Sequence, residues 1–131
     1  MKSLIIDAVN EKIFLVIINS KNIYTSSHKN SKSNFDKLTV LIDRLLNKHN
    51  ISLDHINNIY VNRGPGSYAG TRSSLSIVKG IHLAKKIDYF GFSYLDFANE
   101  NKEIKHKWAE LPKLCKKYKI KKNLIKPLYV S

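Results

Sequence analysis

The sequence predicts a single α/β domain in which the elements follow the order β-β-β-α-β-α-β. Three observations support this prediction: five apolar runs of strand length, two stretches with apolar residues at helical spacing, and a glycine-rich turn between the fourth strand and the second helix. A length of 131 residues suits one domain. We place that domain at residues 1–98 and treat residues 99–131 as a separate lysine-rich segment.

The first third of the chain predicts an antiparallel meander of three strands. Residues 3–6 are mostly apolar and end at Asp7, and residues 13–18 form an uninterrupted apolar run that is typical of a buried strand. A polar turn leads to residues 22–25, which can pair as a third strand. Residues 26–34 are polar, and we expect them to form a loop.

A first helix is predicted to follow this loop. Ser33 and Asp36 have the spacing of a capping box, with aspartate in place of the usual glutamate. Lys48 and His49 place positive charge at the C-terminal end, where it suits the helix dipole. Residues 56–61 form the fourth predicted strand. The apolar face of the helix consists of Phe35, Leu38, Leu41, Ile42, Leu45 and Leu46.

The second helix, predicted over residues 71–86, carries an apolar stripe and a stripe of small residues. A glycine inside a helix costs about 1 kcal/mol relative to alanine. We therefore expect another helix or strand to approach Gly80 closely and to offset this cost. A fifth strand is predicted over residues 89–92 and a short helical piece over 94–99. The apolar stripe is Ile77, Val78, Ile81 and Ala84, and the small stripe is Ser73, Ser76, Gly80 and Ala84.

The turn before this helix contains three of the five glycines, Gly64, Gly66 and Gly70. Backbone N–H groups converge at strand–turn–helix junctions, so the turn can hold a phosphate, a partner's backbone, or only itself. The P-loop would need a lysine where Thr71 stands, and the dinucleotide fingerprint is one residue shorter. Ser67 follows a glycine directly, which excludes the esterase nucleophile elbow.

The same turn resembles the signature of the bacterial TsaB (YeaZ) family. That signature reads approximately G-P-G-S-[FY]-T-G-x-R and precedes a helix that contains K-G. Ala69 replaces the usual threonine. The matching residues are Gly64, Pro65, Gly66, Ser67, Tyr68, Gly70, Arg72, Lys79 and Gly80.

The resemblance implies one half of the actin-like ATPase (ASKHA, RNase H-like) fold, a mixed sheet with helices. In that superfamily Asp7 would end the first strand at a phosphate loop. Because Ala8 and Val9 stand where the family has threonine or serine, we expect Asp7 only to cap a turn. The resemblance covers residues 1–98 and returns at residues 126–131, which are similar to the family's terminal P-[LV]-Y-[LV]-R. The chain therefore resembles a TsaB protein in which the lysine-rich segment replaces most of the second domain.

The resemblance also implies a function, that of a non-catalytic, cytoplasmic scaffold subunit in the synthesis of threonylcarbamoyladenosine next to the anticodon of tRNA. The family binds the transferase TsaD and the ATPase TsaE, and it self-associates through the same helical surface. We expect a TsaD-like partner, a TsaE-like ATPase or a second copy of the chain, and we expect no cofactor, metal or membrane. The expected interface consists of Leu38, Ile42, Leu45, Ser73, Ser76, Ile77, Gly80 and Ala84.

The lysine-rich segment carries much of the net charge of +13. Residues 102–126 hold ten lysines and two glutamates. Two interpretations remain open: a module whose lysines contact tRNA phosphates, or a compositional excess of lysine that faces solvent. Trp108, Leu111 and Leu114 recur at helical spacing and predict an apolar side that docks onto the domain, with a helix break near Pro112. The candidate tRNA contacts are Lys113, Lys116, Lys117, Lys121 and Lys122.

Few residues suggest chemistry of their own. The single cysteine, Cys115, excludes an internal disulfide and indicates a reducing compartment. Lys116 and Lys117 beside it could lower its pKa, but with no general base nearby in sequence we expect a bystander thiol. The five histidines lack the H-x-x-x-H spacing of the metal pair in TsaD. We therefore expect no catalytic residue.

Overall fold

The structure, a computed structural model, describes residues 1–100 and 103–124. One mixed sheet has the strand order β3-β2-β1-β4-β5. β1, β2 and β3 pair antiparallel, whereas β4 lies parallel to β1 and to β5. This arrangement confirms the predicted meander and mixed sheet. The strands are β1 (Lys2–Asp7), β2 (Lys12–Asn19), β3 (Asn22–Lys29), β4 (Asn58–Asn62) and β5 (Asp88–Phe92).

The helices follow the strands in the predicted order, except that the first predicted helix is divided into two at Lys37. Short 3₁₀ turns lie at Leu53–His55, Tyr94–Phe97 and Trp108–Glu110. The α-helices are α1 (Lys32–Asp36), α2 (Leu38–Lys48), α3 (Tyr68–Lys85) and α4 (Leu111–Lys117). Residues 126–131, which are similar in sequence to the C-terminal motif of the family, lie outside the described residues.

The third strand is longer than predicted, because residues 26–29 extend it instead of forming a loop. β3 lies at the sheet edge and pairs with β2 along its whole length, from Asn22 opposite Asn19 to Lys29 opposite Lys12. An edge strand needs no apolar run, because its backbone bonds to one neighbour while polar side chains stay in solvent. The polar composition was therefore a misleading signal here.

The predicted start of the first helix and the predicted helix break near Pro112 are both wrong. Ser31 rather than Ser33 caps the first helix, since the Ser31 hydroxyl accepts from the N–H of Asn34 at 3.3 Å. Pro112 does not break a helix but lies in the first turn of α4. Proline is tolerated there because the N–H groups of a first turn have no partner within the helix.

The larger hydrophobic core lies between one face of the sheet and helices α2 and α3. Successive strand residues point to opposite faces, so Leu4 and Ile6 enter this core while Ile5 enters the other one. Leu75 and Val78 of α3 are buried in the larger core together with the apolar face of α2. Packing on this side thus positions α3 with its opposite face outward.

The second face of the sheet is covered by the lysine-rich segment. Trp108, Leu111 and Leu114 are buried in one cluster with Ile5 of β1, which confirms the predicted docking of this segment. The Trp108 and Phe14 rings lie 5.7 Å apart. The segment therefore forms part of the hydrophobic core.

The segment also covers the edge of β5. The N–H of Asn123 donates to the Tyr89 carbonyl at 2.7 Å, and the Asn123 side-chain oxygen accepts from the Tyr89 N–H at 3.0 Å. These bonds satisfy edge groups that would otherwise be open for pairing.

Candidate functional site

The glycine-rich turn is held against the end of β1 by close backbone contacts. The N–H of Ser67 donates to the Val9 carbonyl at 2.8 Å. A Cβ atom on Gly70 would collide with the carbonyl oxygen of Ala8, and one on Gly66 would collide with that of Val9. Glycine is required at these two positions because the backbones approach too closely for any side chain.

The N–H groups of the turn are used within the chain. Gly64 has a left-handed φ of 106°, and its N–H donates to the Asn62 side-chain oxygen at 2.9 Å. The N–H of Gly70 donates to the Ser67 hydroxyl at 3.1 Å, and that of Thr71 donates to the Ser67 carbonyl at 3.0 Å. Of the three roles open to the turn, this geometry favours self-structuring, because several amides that a phosphate would need already have partners.

Ser67 is the N-cap of α3, so the helix begins at Tyr68 and not at residue 71 as predicted. Pro65, Tyr68 and Arg72 of the motif are exposed at this end of the helix. A guanidinium nitrogen of Arg72 donates to the Tyr68 hydroxyl at 3.0 Å, and the Arg72 guanidinium carbon lies 5.2 Å from the centre of the Tyr68 ring. The motif therefore presents an aromatic–cation pair to solvent.

The outer face of α3 holds most of the predicted interface residues. Ser76, Gly80 and Ala84 are exposed, and Ser73 and Ile77 are half-buried. No described atom lies within 4 Å of a Cβ placed on Gly80, apart from the nearby backbone of its own helix. Sequence reasoning missed Leu83, which is 74% exposed on the same helix, because it belongs to neither predicted stripe. We call Tyr68, Arg72, Ser76, Gly80, Leu83 and Ala84 the α3 face.

Three predicted interface residues are wrongly assigned. Leu38, Ile42 and Leu45 are almost completely buried in the chain's own core, so they offer no surface to a partner. Helical periodicity shows that one side of a helix is covered, but it does not show whether the sheet or another subunit covers it. In α2 the sheet does.

A groove of about 690 Å³ lies between α1 and the start of α3. Its charges are mixed, with Lys32 and Arg72 near Asp36, and Phe35 contributes an apolar wall. It shares Tyr68, Arg72 and Ser76 with the α3 face. The lining residues are Asn30, Ser31, Lys32, Phe35, Asp36, Tyr68, Ala69, Arg72, Ser73 and Ser76.

Asp7 is buried at the end of β1. The Asn62 side-chain amide donates to Asp7 Oδ1 at 3.3 Å. Burial raises the pKa of Asp7, although hydrogen bonds from Asn62 and from the backbone of Val9 lower it in part. The bond from Val9 agrees with the expected role as a turn cap. Asp7 Oδ2 has no hydrogen bond of normal geometry among the residues described, but the Tyr94 hydroxyl lies close enough that burial and the Asp7 carboxylate together raise the pKa of Tyr94.

An ion pair that sequence reasoning missed ties the turn to the segment after β5. Arg63 Nη2 lies 2.8 Å from Asp96 Oδ1, and both side chains are largely buried. Asp96 Oδ2 also accepts from the N–H of Ser93 at 2.9 Å, and the N–H of Arg63 donates to the Phe92 carbonyl at 2.8 Å. Arg63 directly precedes the glycines, which was the only signal available from sequence.

The five lysines predicted to contact tRNA do not lie together: two form ion pairs, and three line one of two hollows. Lys117 pairs with Glu100 at 2.7 Å and Lys122 pairs with Asp88 at 3.6 Å. Lys121 lines a small hollow beside Arg63. Lys113 and Lys116 line one groove, which we call the α4 groove, and Lys119, which sequence reasoning missed, also lines it. The α4 groove is formed by Met1, Asn58, Tyr60, Phe90, Pro112, Lys113, Cys115, Lys116, Lys119 and Ile120.

The suggestion that neighbouring lysines lower the pKa of Cys115 is wrong. Cys115 is buried in the second core, and burial raises the pKa of its thiol to about 12. Lys116 and Lys117 are exposed, so solvent screens their charge from the thiol.

The described residues lack both a membrane-spanning helix and a metal-binding cluster. Within 1–100 and 103–124, no helix is both long and apolar enough to cross a membrane. In the same residues, no three His, Cys, Asp or Glu side chains are grouped so as to hold a metal ion.

Comparison with known proteins assigns the family. The family model described as "TsaD: tRNA N6-adenosine threonylcarbamoyltransferase" matches residues 22–116. A protein of Buchnera aphidicola subsp. Schizaphis graminum named "tRNA threonylcarbamoyladenosine biosynthesis protein TsaB" is 29% identical over 108 residues, which are 82% of this chain and 51% of the relative. The chain belongs to the TsaD family and, within it, to the TsaB (YeaZ) proteins.

Further TsaB relatives agree with this assignment. The protein of the same name from Buchnera aphidicola subsp. Baizongia pistaciae is 35% identical over 71 residues, which cover 47% of this chain and 32% of the relative. The chain thus spans at most about half the length of these TsaB relatives.

A solved structure supports the fold. YeaZ from Pseudomonas aeruginosa superposes with a TM-score of 0.66 at 20% identity, over 70% of this chain and 43% of that one. The chain therefore has the predicted half of the actin-like fold. The sequence signature at the glycine turn pointed to the correct family.

Proposed function

We propose that the chain is a non-catalytic scaffold subunit in the cytoplasmic synthesis of threonylcarbamoyladenosine in tRNA, and that it binds a TsaD-type transferase through the α3 face. The names of the TsaB relatives supply the pathway. The observation that carries the proposal is Gly80, a glycine on the exposed side of α3 with open space in front of it.

Nothing within the described chain compensates for this glycine. A glycine inside a helix costs about 1 kcal/mol relative to alanine, and here no neighbouring element approaches closely enough to require one. Gly66 and Gly70 differ in this respect, because close contacts with the end of β1 account for both. A second helix packed against Gly80 would account for it in the same way.

The surroundings of Gly80 suit a helix-packing interface. Leu83 is 74% exposed and Tyr68 is 56% exposed at the two ends of the α3 face, with small side chains between them. Exposed apolar residues around a flat, small-residue centre are a common basis for protein association. A second copy of the chain or a TsaE-like ATPase would compete for this face with the transferase, if either also binds there.

The glycine-rich turn is our reason for proposing that the chain is non-catalytic. The superfamily's phosphate loops need free backbone amides, whereas several amides of this turn donate within the chain. Asp7 is buried and is followed by Ala8 and Val9 in place of hydroxyl side chains. These residues do not fit a nucleotide phosphate, so we propose that the transferase supplies the chemistry.

The scaffold proposal is tested by Gly80→Leu. We expect this variant to lose co-elution with a TsaD-type partner on a sizing column, because the leucine would hold the two helices apart. Circular dichroism should show an unchanged fold, since the side chain enters open space. Leu95→Ala is the matched control, because it alters an exposed apolar residue outside the α3 face. Normal assembly of Gly80→Leu would refute the proposal.

A second candidate function, direct contact with tRNA, is favoured by the α4 groove. Three lysines line this groove without an acidic residue among them. Phosphate contacts would make binding strongly salt-dependent, whereas packing of the α3 face would not be. The two functions use different surfaces of the chain and are compatible.

A further inference from the structure

The α4 groove combines an apolar floor with a basic rim. Its volume of about 550 Å³ falls within the roughly 300–1,000 Å³ that is usual for small-ligand sites. Phe90 and Ile120 are partly exposed on its floor. Phe90 stacks on Tyr60, with the ring centres 5.2 Å apart and the planes 16° from parallel. The groove therefore includes an aromatic pair in which Phe90 is the more exposed ring.

The rim carries positive charge that is not neutralised locally. Lys113, Lys116 and Lys119 are exposed, and none of them forms an ion pair with the other residues that the structure describes. Lys117 and Lys122 nearby do form such pairs. The groove thus suits a ligand that combines a flat, apolar part with negative charge.

We propose that the α4 groove binds a nucleotide unit of single-stranded RNA, with the base against Phe90 and Ile120 and the adjoining phosphates at Lys113, Lys116 and Lys119. This inference deepens the second candidate function. It does not depend on the scaffold role or on the α3 face.

The polar groups of the groove suit the edge of a base. The Asn58 amide contacts the sulfur of Met1 at 3.8 Å, and a thioether is a weak acceptor that a base could replace. Tyr60, which is almost completely buried, adds a hydroxyl that interacts with the Asn58 side chain. A purely apolar peptide would use neither these groups nor the three lysines.

Base stacking and phosphate contact should each have a separate, measurable effect on RNA binding. Stacking of one base on an aromatic side chain strengthens binding roughly 5- to 150-fold. Each phosphate neutralised on a single strand adds about 0.7 to the slope of log affinity against log salt. Three contacts therefore contribute a slope of about 2, which a salt series can resolve.

The first test measures the fluorescence anisotropy of a labelled, unstructured RNA oligonucleotide titrated with the full chain. The variant with Lys113→Gln, Lys116→Gln and Lys119→Gln should bind at least about tenfold more weakly, and its salt slope should fall by about 2. A control variant removes the same charge elsewhere. Equal losses of RNA affinity in the two variants would show that only the overall positive charge matters, and this result would overturn the proposal. The control carries Lys21→Gln, Lys29→Gln and Lys48→Gln, all at exposed positions.

The second test concerns the base. An abasic oligonucleotide of the same length should bind the unmodified chain about tenfold more weakly than the RNA. Phe90→Leu, which keeps an apolar side chain but removes the ring, should remove most of that difference. Equal binding of both oligonucleotides would overturn the proposal, as would adenosine monophosphate competing as well as the RNA at equal nucleotide concentration. The abasic comparison needs no variant, so it stands even if Phe90→Leu fails to fold.

A partner-binding measurement separates this proposal from the scaffold role. The triple lysine variant should still co-elute with the TsaD-type partner, because the α4 groove and the α3 face share no residue. Loss of RNA binding with assembly intact would support both proposals. Failure of RNA binding in the unmodified chain would overturn the groove assignment and the direct tRNA contact, but it would leave the scaffold role unaffected.

Discussion

Gly70 packs so closely against Ala8 that the Ala8 carbonyl oxygen occupies the space of a Gly70 side chain. This contact joins the start of α3 to the end of β1. The ring of Phe35 lies 3.1 Å from the same Cβ position on another side, so the site cannot readily expand. Gly80, ten residues further along the same helix, has open space in front of it. The two glycines therefore serve different purposes.

Gly70→Ala should destabilise the chain by about 1–3 kcal/mol or more, because the methyl group meets backbone that cannot move without disturbing β1. Gly80→Ala is the matched control and should stabilise the isolated chain by up to about 1 kcal/mol. Urea unfolding followed by circular dichroism measures both changes. Similar free energies of unfolding for the two variants would contradict the assignment of Gly70 to packing.

Asp7→Asn should raise the melting temperature at pH 7. Burial raises the folded-state pKa of Asp7 above its ordinary value of 3.8, so the native state holds the proton more tightly than the unfolded state. The resulting stability is complete below about pH 3.8 and is lost as pH rises through the folded pKa. Asparagine remains neutral at every pH. The gain should therefore shrink as pH falls towards 4, and a gain that is independent of pH would argue against this reasoning.

The Arg63–Asp96 pair should show a measurable coupling free energy. Its side chains are 18% and 20% exposed, whereas those of the Lys85–Asp54 pair are 45% and 64% exposed. A double-mutant cycle with Arg63→Met and Asp96→Asn should give about 1 kcal/mol or more, against at most about 0.5 kcal/mol for the exposed pair. Coupling of equal size in both cycles would show that burial does not strengthen the first pair.

Trp108→Ala should lower the free energy of unfolding by about 3–5 kcal/mol, as expected for truncation of a buried tryptophan. Trp108 packs in the second core with Leu111 and against Phe14. The chain contains no other tryptophan, so the emission of the unmodified chain reports directly on docking of the lysine-rich segment. Lys107→Ala at the adjacent exposed position is the control and should have little effect. A small loss in Trp108→Ala would mean that the segment contributes little to folding.

Arg72→Glu should weaken assembly with a TsaD-type partner more than it lowers the melting temperature. Arg72 is exposed on the α3 face, where its guanidinium group contacts Tyr68 of the same helix. An acidic residue near a helix N-terminus is favourable for the helix dipole, so the fold should tolerate the change. Isothermal titration calorimetry and a thermal melt give the two values. A larger effect on the melting temperature than on partner affinity would show that Arg72 mainly stabilises the fold.

The order of strands and helices followed from the sequence because buried faces leave a periodic apolar pattern. Residues 13–18 and the apolar face of α2 were predicted correctly for this reason. The predicted stripe of α3 was only partly correct, because Ala84 is exposed and the buried Leu75 was not included. The glycine turn identified the family because its spacing is specific. Edge strand β3 was read too short, since a strand with one neighbour and a solvent-facing side needs little apolar content.

Only the tertiary structure decided what each surface faces. Leu38 and Gly80 both lay in stripes that suggested an interface, yet the sheet covers Leu38 while Gly80 remains open. A local pattern records that a side chain is buried or small, but the element opposite it can be distant in sequence. The contact of Gly70 with Ala8 and the pairing of Arg63 with Asp96 likewise join residues far apart in the chain. The sequence by itself therefore determined the elements and the family, and the packing of those elements determined which residues remain available for binding.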